Sequence, residues 1–274
     1  MAKRTPEGPP PPPAVQKLRL RYTKRGRLRF TSHRDIARAF ERALRRAQVP
    51  MAYSAGFSPH PKVSWVGAAP TGVASEAEYV EISVMRRVDP DALRAALDAS
   101  LPAGIDVEEV VEAPVGTSLP DRVQASRWEL RLTGVPVARA EEALAAFLAA
   151  EDVGVERLGK NGVRRLDARA PVLSAHVSST AGDDGCATLH LVVRHVTPAV
   201  RPDDVLSGIR LVADLEVPVP PSVTRTAQGP LLDDGGVGDP LAPDRTGAPA
   251  PTDGATRQAA GTEQVAAGGP AREG

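Results

Sequence analysis

The sequence predicts an α+β fold. We expect a ferredoxin-like lobe of order β-α-β-β-α-β, a second, smaller α+β lobe, and disordered tails. Three observations predict this. Segments of strand period alternate with segments of helix period over about 200 residues, a proline run lies near the N-terminus, and large apolar residues become sparse beyond Pro218. We therefore divide the chain into a proline-rich tail, two lobes and a second tail, at 1–15, 16–115, 124–217 and 222–274.

The first lobe opens with a half-buried strand. Apolar and basic residues alternate through 17–23, which is the pattern of a strand with one buried face. After a turn at Gly26 the alternation resumes in 27–31, which predicts more strand with Leu28 and Phe30 facing the core. Ser32 then caps a helix whose apolar stripe is spaced at three and four residues, namely Ile36, Phe40, Leu44 and Ala47.

The rest of the first lobe completes the ferredoxin-like order. Strand patterns occupy 63–69 and 79–84, and Asp89 followed by proline is a favourable helix start. A final strand is predicted at 105–111. The order β-α-β-β-α-β is that of a split βαβ unit.

The second lobe repeats the alternation of strands and helices without a visible sequence repeat. It contains a helix at 137–150, a hairpin built around the turn at 160–162 and a short helix at 203–209. Further strands are predicted at 128–132, 173–178 and 187–193. A related architecture, and hence a duplication, is suspected.

Composition favours a cytoplasmic protein without a metal cluster of its own. The single cysteine, Cys186, excludes an internal disulfide and a three- or four-cysteine cluster. It follows an acidic turn, and nearby carboxylates make a thiol less nucleophilic. No apolar run approaches the length of a membrane helix, so no membrane partner is expected. His190 and His195 lie five residues apart, which on one strand places them on opposite faces and disfavours a metal site.

Positive charge is concentrated near the start of the chain. Between Lys17 and Lys62 there are thirteen Lys and Arg residues against two acids, although the whole chain has a net charge of zero. The strand segments contribute Arg19, Arg21, Arg25, Arg27 and Arg29, and the first helix contributes Arg34, Arg38, Arg42 and Arg45. If the strands and the helix share an edge, these side chains form one cationic field.

Three segments carry a family resemblance. The segments 21–35 (RYTKRGRLRFTSHRD), 40–47 (FERALRRA) and 53–62 (YSAGFSPHPK) together resemble the radical-SAM-associated domain family of uncharacterised function, most strongly over 17–85. The resemblance implies an association with radical-SAM proteins and no established activity. Because the three close cysteines of a radical-SAM cluster are absent, the iron–sulfur cluster and SAM would belong to a separate radical-SAM partner.

The same segments supply the candidate site residues. Two prolines hold the backbone around His60, and Phe57 and Lys62 lie on the same loop, which suits ligand binding or acid–base work. His33 lies just past the helix cap, at the positive end of the helix dipole. With the helix arginines, the predicted ligand-binding set is His33, Arg34, Arg38, Arg42, Phe57, His60 and Lys62. A structural loop and a capping role for His33 are the alternatives.

The leading functional hypothesis is an accessory protein that binds RNA, or another anionic macromolecule, for a separate radical-SAM enzyme. Arginine suits bidentate phosphate recognition, and aromatic side chains among the basic residues suit base stacking. Two alternatives stay open. One is a small RNA- or protein-modifying enzyme in which His33 or His60 is the acid–base, and the other is a purely structural interaction module.

Overall fold

The computed structural model describes residues 12–55, 57–114, 116–159, 162–179 and 186–245. In chain order, its strands and α-helices are β1 (Gln16–Lys24), α1 (His33–Arg46), β2 (Val63–Val66), β3 (Ala74–Val84), α2 (Pro90–Asp98), β4 (Val107–Glu112), β5 (Ala125–Pro136), α3 (Val137–Ala149), β6 (Gly154–Gly159), β7 (Gly162–Asp167), β8 (Val172–Ser179), β9 (Cys186–Arg194), α4 (Pro202–Ala213), β10 (Ser222–Gly229) and α5 (Ala242–Arg245). All the strands except β6 and β7 belong to one sheet, and β6 and β7 form a separate two-stranded sheet. The fold is α+β, as the sequence predicts.

The first six elements form a ferredoxin-like unit. β1 pairs antiparallel with β3 and β4, and β2 pairs antiparallel with β3, so the strand order is β4-β1-β3-β2. The apolar stripe predicted for α1 is buried, because it packs with one face of these strands and with α2. This core includes Leu18, Leu20, Phe40, Leu44 and Leu97.

The second unit has the same topology. β5 pairs antiparallel with β10 and β9, and β9 pairs antiparallel with β8, which gives the order β10-β5-β9-β8. Its core joins β5 and β9 to α3 and α4 through side chains such as Trp128, Leu130, Phe147 and Ile209. The β6–β7 hairpin is inserted between α3 and β8. The structure therefore contains two units of the order β-α-β-β-α-β, and their duplication stays a prediction.

One continuous sheet joins the two units. β10, the last strand of the second unit, runs parallel to the beginning of β3 at Thr224 and Arg225. Four buried polar residues surround this junction, namely Ser75, Glu78, Arg225 and Gln228. The Arg225 guanidinium forms an ion pair with Glu78 and also donates to Ser75 Oγ at 3.3 Å and to Gln228 Oε1 at 3.2 Å.

The prediction of a disordered tail over 222–274 is wrong for residues 222–245. β10 lies inside the sheet, and Leu241 and Asp244 are buried, so the second unit extends past the predicted end at 217. β10 escaped detection because its buried residues include Arg225 and Gln228, whose partners lie far away in sequence. Residues 246–274 and 1–11 lie outside the described residues, so the disorder predicted for them stays a prediction.

The prediction of a strand at 27–31 is also wrong. Gly26–Phe30 forms a short 3-10 helix, and the Phe30 side chain is 60% exposed. Gly26 has φ +56°, so the chain leaves β1 through a left-handed turn that breaks the alternation. Among the described residues, no helix is both long and apolar enough to span a membrane.

Candidate nucleic-acid interface

The outer face of α1 carries a row of arginines. Ser32 caps the helix by accepting a hydrogen bond from Asp35 N–H at 3.3 Å, and the apolar stripe turns inward, so the remaining face is directed outward. Exposed residues on this face include Arg34, Arg38, Arg42 and Arg45. Arg38 lies 3.6 Å from Asp35, whereas the other three form no ion pair with any described residue.

The arginines of β1 do not join this row, and the prediction of one combined cationic field is wrong for Arg19, Arg21 and Arg25. Arg19 is fully buried on the other face of the sheet, where it pairs with Glu81 at 3.0 Å and with Asp244 at 2.9 Å. Arg21 lies 4.0 Å from Glu109. Arg25, in the turn after β1, bonds Glu76 and Asp106; chiefly its hydrogen bond to Glu76 raises its pKa above the usual value.

The loop with the predicted ligand-binding residues projects beside α1. Its two ends are held together because Ser54 N–H donates to His60 O at 2.9 Å and His60 N–H donates to Ser54 Oγ at 3.1 Å. Lys62 N–H donates to Ala52 O, which fixes the return of the chain into β2. Phe57 is 72% exposed, so its ring does not anchor the loop in the core.

Trp65 contacts His33 and lines a groove with His60. The His33 ring packs edge-on against Trp65, with 5.1 Å between ring centroids. His60 and Trp65 line a groove of about 250 Å³ together with residues of α1 that include Phe40 and Glu41. Both histidines are exposed, so they are accessible to a ligand at the edge of the arginine row.

Phe30 is a site residue that the sequence analysis assigned to the core. The Arg29 guanidinium lies over the Phe30 ring, 4.6 Å from its centroid, and this pair occupies the turn that leads into α1. We use the name α1 surface for the exposed set Phe30, His33, Arg34, Arg38, Arg42, Arg45, Phe57, His60 and Lys62. It combines guanidinium groups with aromatic rings, which suits phosphate binding and base stacking.

Metal binding, the other chemistry considered for the histidines, has no matching cluster of side chains in the described part of the chain. There, no group of three or more His, Cys, Asp and Glu side chains is arranged to hold a metal ion. His190 stacks on His176 at 4.6 Å, whereas His195 bonds Ser126 Oγ at 2.7 Å, so the two histidines occupy separate environments. Burial, helped by the charge of His176, lowers the pKa of His190.

The comparisons with known proteins assign a family but no activity. A model of the family described as "Uncharacterized protein conserved in bacteria (DUF2344)" matches residues 17–202, more than half of the chain. No curated protein matches.

Two solved structures resemble the chain weakly. A chain of a Cbf5-Nop10-Gar1 complex matches with 12% identity and a TM-score of 0.43, over 85% of this chain and 57% of that chain. An unknown protein from Galdieria sulphuraria matches with 14% identity and a TM-score of 0.22, over 77% of this chain and 99% of that one.

Proposed function

The chain belongs to this family of bacterial proteins, and we propose that it is an accessory protein that binds RNA through the α1 surface and acts with a separate radical-SAM enzyme. The observation that carries the RNA part is the row of exposed arginines on α1, together with exposed aromatic rings in the turn before the helix and in the loop before β2. Within the described residues, Arg34, Arg42 and Arg45 have no carboxylate partner, so their charge is available to a ligand.

The side-chain types favour single-stranded RNA. Guanidinium groups recognise phosphates with two parallel hydrogen bonds, and exposed rings accept unstacked bases regardless of sequence. Phe57 and Phe30 are 72% and 60% exposed, so both rings are accessible to a ligand. A cationic helix with flanking aromatic rings is therefore suited to a flexible, anionic strand.

The proposal of a radical-SAM partner depends on the sequence resemblance. The segments that resemble the radical-SAM-associated family supply α1 and the loop beside it, which are the same elements that form the α1 surface. The cluster and SAM would be held by the partner, because this chain has one cysteine. The chain would present RNA to that enzyme.

A modifying enzyme is the second candidate. The observation that favours it is the position of two exposed histidines near Trp65: His33 packs against this ring and His60 lines a groove with it. In that case His60→Ala abolishes turnover while RNA binding remains. The accessory role predicts instead that the histidine variant changes RNA affinity and that turnover requires the radical-SAM partner.

Crosslinking and immunoprecipitation of the tagged chain from its own cells tests the proposal. The comparison is between the wild type and the variant Arg34→Ala, Arg38→Ala, Arg42→Ala. We expect enrichment of a defined RNA by the wild type and its loss in the variant, with a radical-SAM protein recovered by both. Equal, background-level RNA in both samples would reject RNA binding and leave a structural interaction module.

A further inference from the structure

A cleft of about 320 Å³ lies between the two units, close to the strand pairing that joins them. One wall is the loop after β2, which includes Gly67, Ala68 and Pro70. The other wall comes from the second unit and is largely apolar, with Trp128, Val193, Ala199 and Val200. Apolar walls with a few polar atoms at a domain junction are typical of small-ligand pockets.

Buried polar side chains hold the first wall in place. Gln228 Nε2 donates to Gly67 O at 3.3 Å, Glu78 Oε2 accepts from Ala69 N–H at 3.1 Å, and Lys24 Nζ donates to Pro70 O at 3.1 Å. Gly67 has φ +55°, and a Cβ there would lie 2.4 Å from Gln228 Oε1, so a larger residue at this position would have to displace the Gln228 side chain. The cleft is therefore shaped before any ligand arrives.

The polar groups of the cleft have unused hydrogen-bonding capacity. His195 Nδ1 lies 3.2 Å from Val123 O, which can only accept, so Nδ1 donates and, in the neutral ring, Nε2 accepts from Ser126. The Ser126 oxygen keeps its acceptor capacity. Arg225 uses three of its five N–H groups within the described residues.

Arg201 adds a positive charge at the edge of the cleft. Arg201 is one of the residues that line the cleft, and its guanidinium has no carboxylate partner among the residues that the structure describes. The cleft therefore combines apolar walls, hydrogen-bonding groups between them and a cation within reach of an anionic group.

A backbone hydrogen bond links the loop that forms the first wall of the cleft to the turn before α1. Gly72 N–H donates to Arg29 O at 2.7 Å, which connects the loop after β2 to the turn that carries Phe30. A strand that lies on the α1 surface can therefore reach the cleft by crossing this loop.

We infer that the cleft between the units receives one nucleotide of the RNA strand bound at the α1 surface. A nucleobase has two apolar faces and a polar edge, which match the apolar walls and the hydrogen-bonding groups of Ser126 and Arg225. Its phosphate pairs with Arg201. This inference rests on the proposed function, since the same strand must first bind the α1 surface.

Photocrosslinking tests the inference. A short oligouridylate with one 4-thiouridine, placed at each position in turn, is crosslinked to the full chain, and the modified peptides are mapped. We expect one position to react with Trp128 or with residues 195–201, and neighbouring positions to react with the α1 surface. Ala68→Trp fills the cleft, and Ala138→Trp adds the same side chain on the exposed side of α3 as a control.

The outcomes separate the two proposals. We expect Ala68→Trp to remove the cleft crosslink and to weaken binding of the oligouridylate roughly tenfold, as loss of one stacked base would, whereas Ala138→Trp changes neither. Crosslinks confined to the α1 surface, unchanged in Ala68→Trp, would overturn the cleft assignment and leave the proposed function intact. Absence of oligouridylate binding to the wild type would overturn both.

Discussion

Two arginine-rich segments that follow each other in the sequence, β1 and α1, have opposite environments. In β1, Arg19 is fully buried and bonded to two carboxylates and to Thr117 O. In α1, Arg34 and Arg42 are exposed and have no ion pair with any described residue. The number of arginines in a segment therefore does not predict how much positive charge that segment exposes to solvent. The elements that pack over the segment decide which of its charges are buried and paired with carboxylates.

The covering element of β1 comes from the other end of the described chain. Asp244 belongs to α5, and it accepts hydrogen bonds from Arg19 and from Arg122 at 2.9 Å each. The buried Leu241 lies beside it in sequence and packs with Tyr79 and Leu119. The outer face of α1 has no such cover, so its arginines remain available to a ligand.

The largest expected effect is removal of this cover. Truncation after Gly229 deletes Asp244 and Leu241, which leaves Arg19 with one of its two carboxylate partners. We expect the free energy of unfolding to fall by more than the roughly 3–5 kcal/mol of a broken buried ion pair, because apolar burial is lost as well. Urea denaturation measures it. Truncation after Arg245 is the control, and equal losses in both proteins would contradict a covering role for 230–245.

The next largest effect is a difference in stability between single arginine substitutions in β1 and in α1. Arg19→Ala leaves Asp244 paired with Arg122 and Glu81 paired with Lys17 but removes the fully buried guanidinium between them, and we expect a loss of up to about 3–5 kcal/mol in unfolding free energy. Arg34→Ala removes an exposed side chain, and we expect a change within about 0.5 kcal/mol. Urea denaturation of both variants tests the difference, which would be refuted by similar stabilities.

A smaller effect concerns the aromatic part of the α1 surface. Phe57→Ala removes an exposed ring, so we expect unchanged stability and a loss of about 1–3 kcal/mol in binding of a single-stranded RNA, the value of one stacked base. Fluorescence anisotropy with a labelled oligonucleotide measures it. Val163→Ala, at another exposed apolar residue in the β6–β7 hairpin, is the control and should leave affinity unchanged. A destabilised Phe57→Ala protein would show instead that the ring supports the fold.

The smallest effect is a pH dependence at the junction of the units. Burial, and secondly the charge of Arg225, lower the pKa of His195. The folded protein therefore favours the neutral ring, so this contribution to stability is present above the ordinary pKa of about 6.5 and is lost as the pH falls. Urea denaturation at pH 7.5 and 5.5 should show a smaller pH-dependent loss for His195→Asn than for the wild type. An identical loss would exclude His195 as a contributor.

Much of the fold could be predicted because local patterns decide it. The apolar stripe of α1 and the alternation in β1 specify which faces are buried, and their order gives the ferredoxin-like topology of the first unit. β10 could not be predicted in this way. Its buried Arg225 and Gln228 are satisfied by Glu78 and by Ala77 O, which lie about 150 residues away.

In the candidate site too, features set by local spacing could be predicted and features set by distant residues could not. Helical spacing predicts that Arg34, Arg38 and Arg42 share a face, and they do. The neutralisation of Arg19 depends on Asp244, and the junction cleft depends on two units meeting, so neither has a local signal. Residues that act across long sequence separations are the ones that sequence analysis assigns incorrectly or overlooks.

The salt dependence of RNA binding tests the central claim most directly. Affinity of a labelled single-stranded RNA is measured by anisotropy over a range of salt concentrations for the wild type and for the variant Arg34→Ala, Arg38→Ala, Arg42→Ala. If the three arginines each contact one phosphate, the slope of log K against log salt should become shallower by about 2, since each contact contributes roughly 0.7. Equal slopes and equal affinities would contradict an RNA-binding role for the α1 surface.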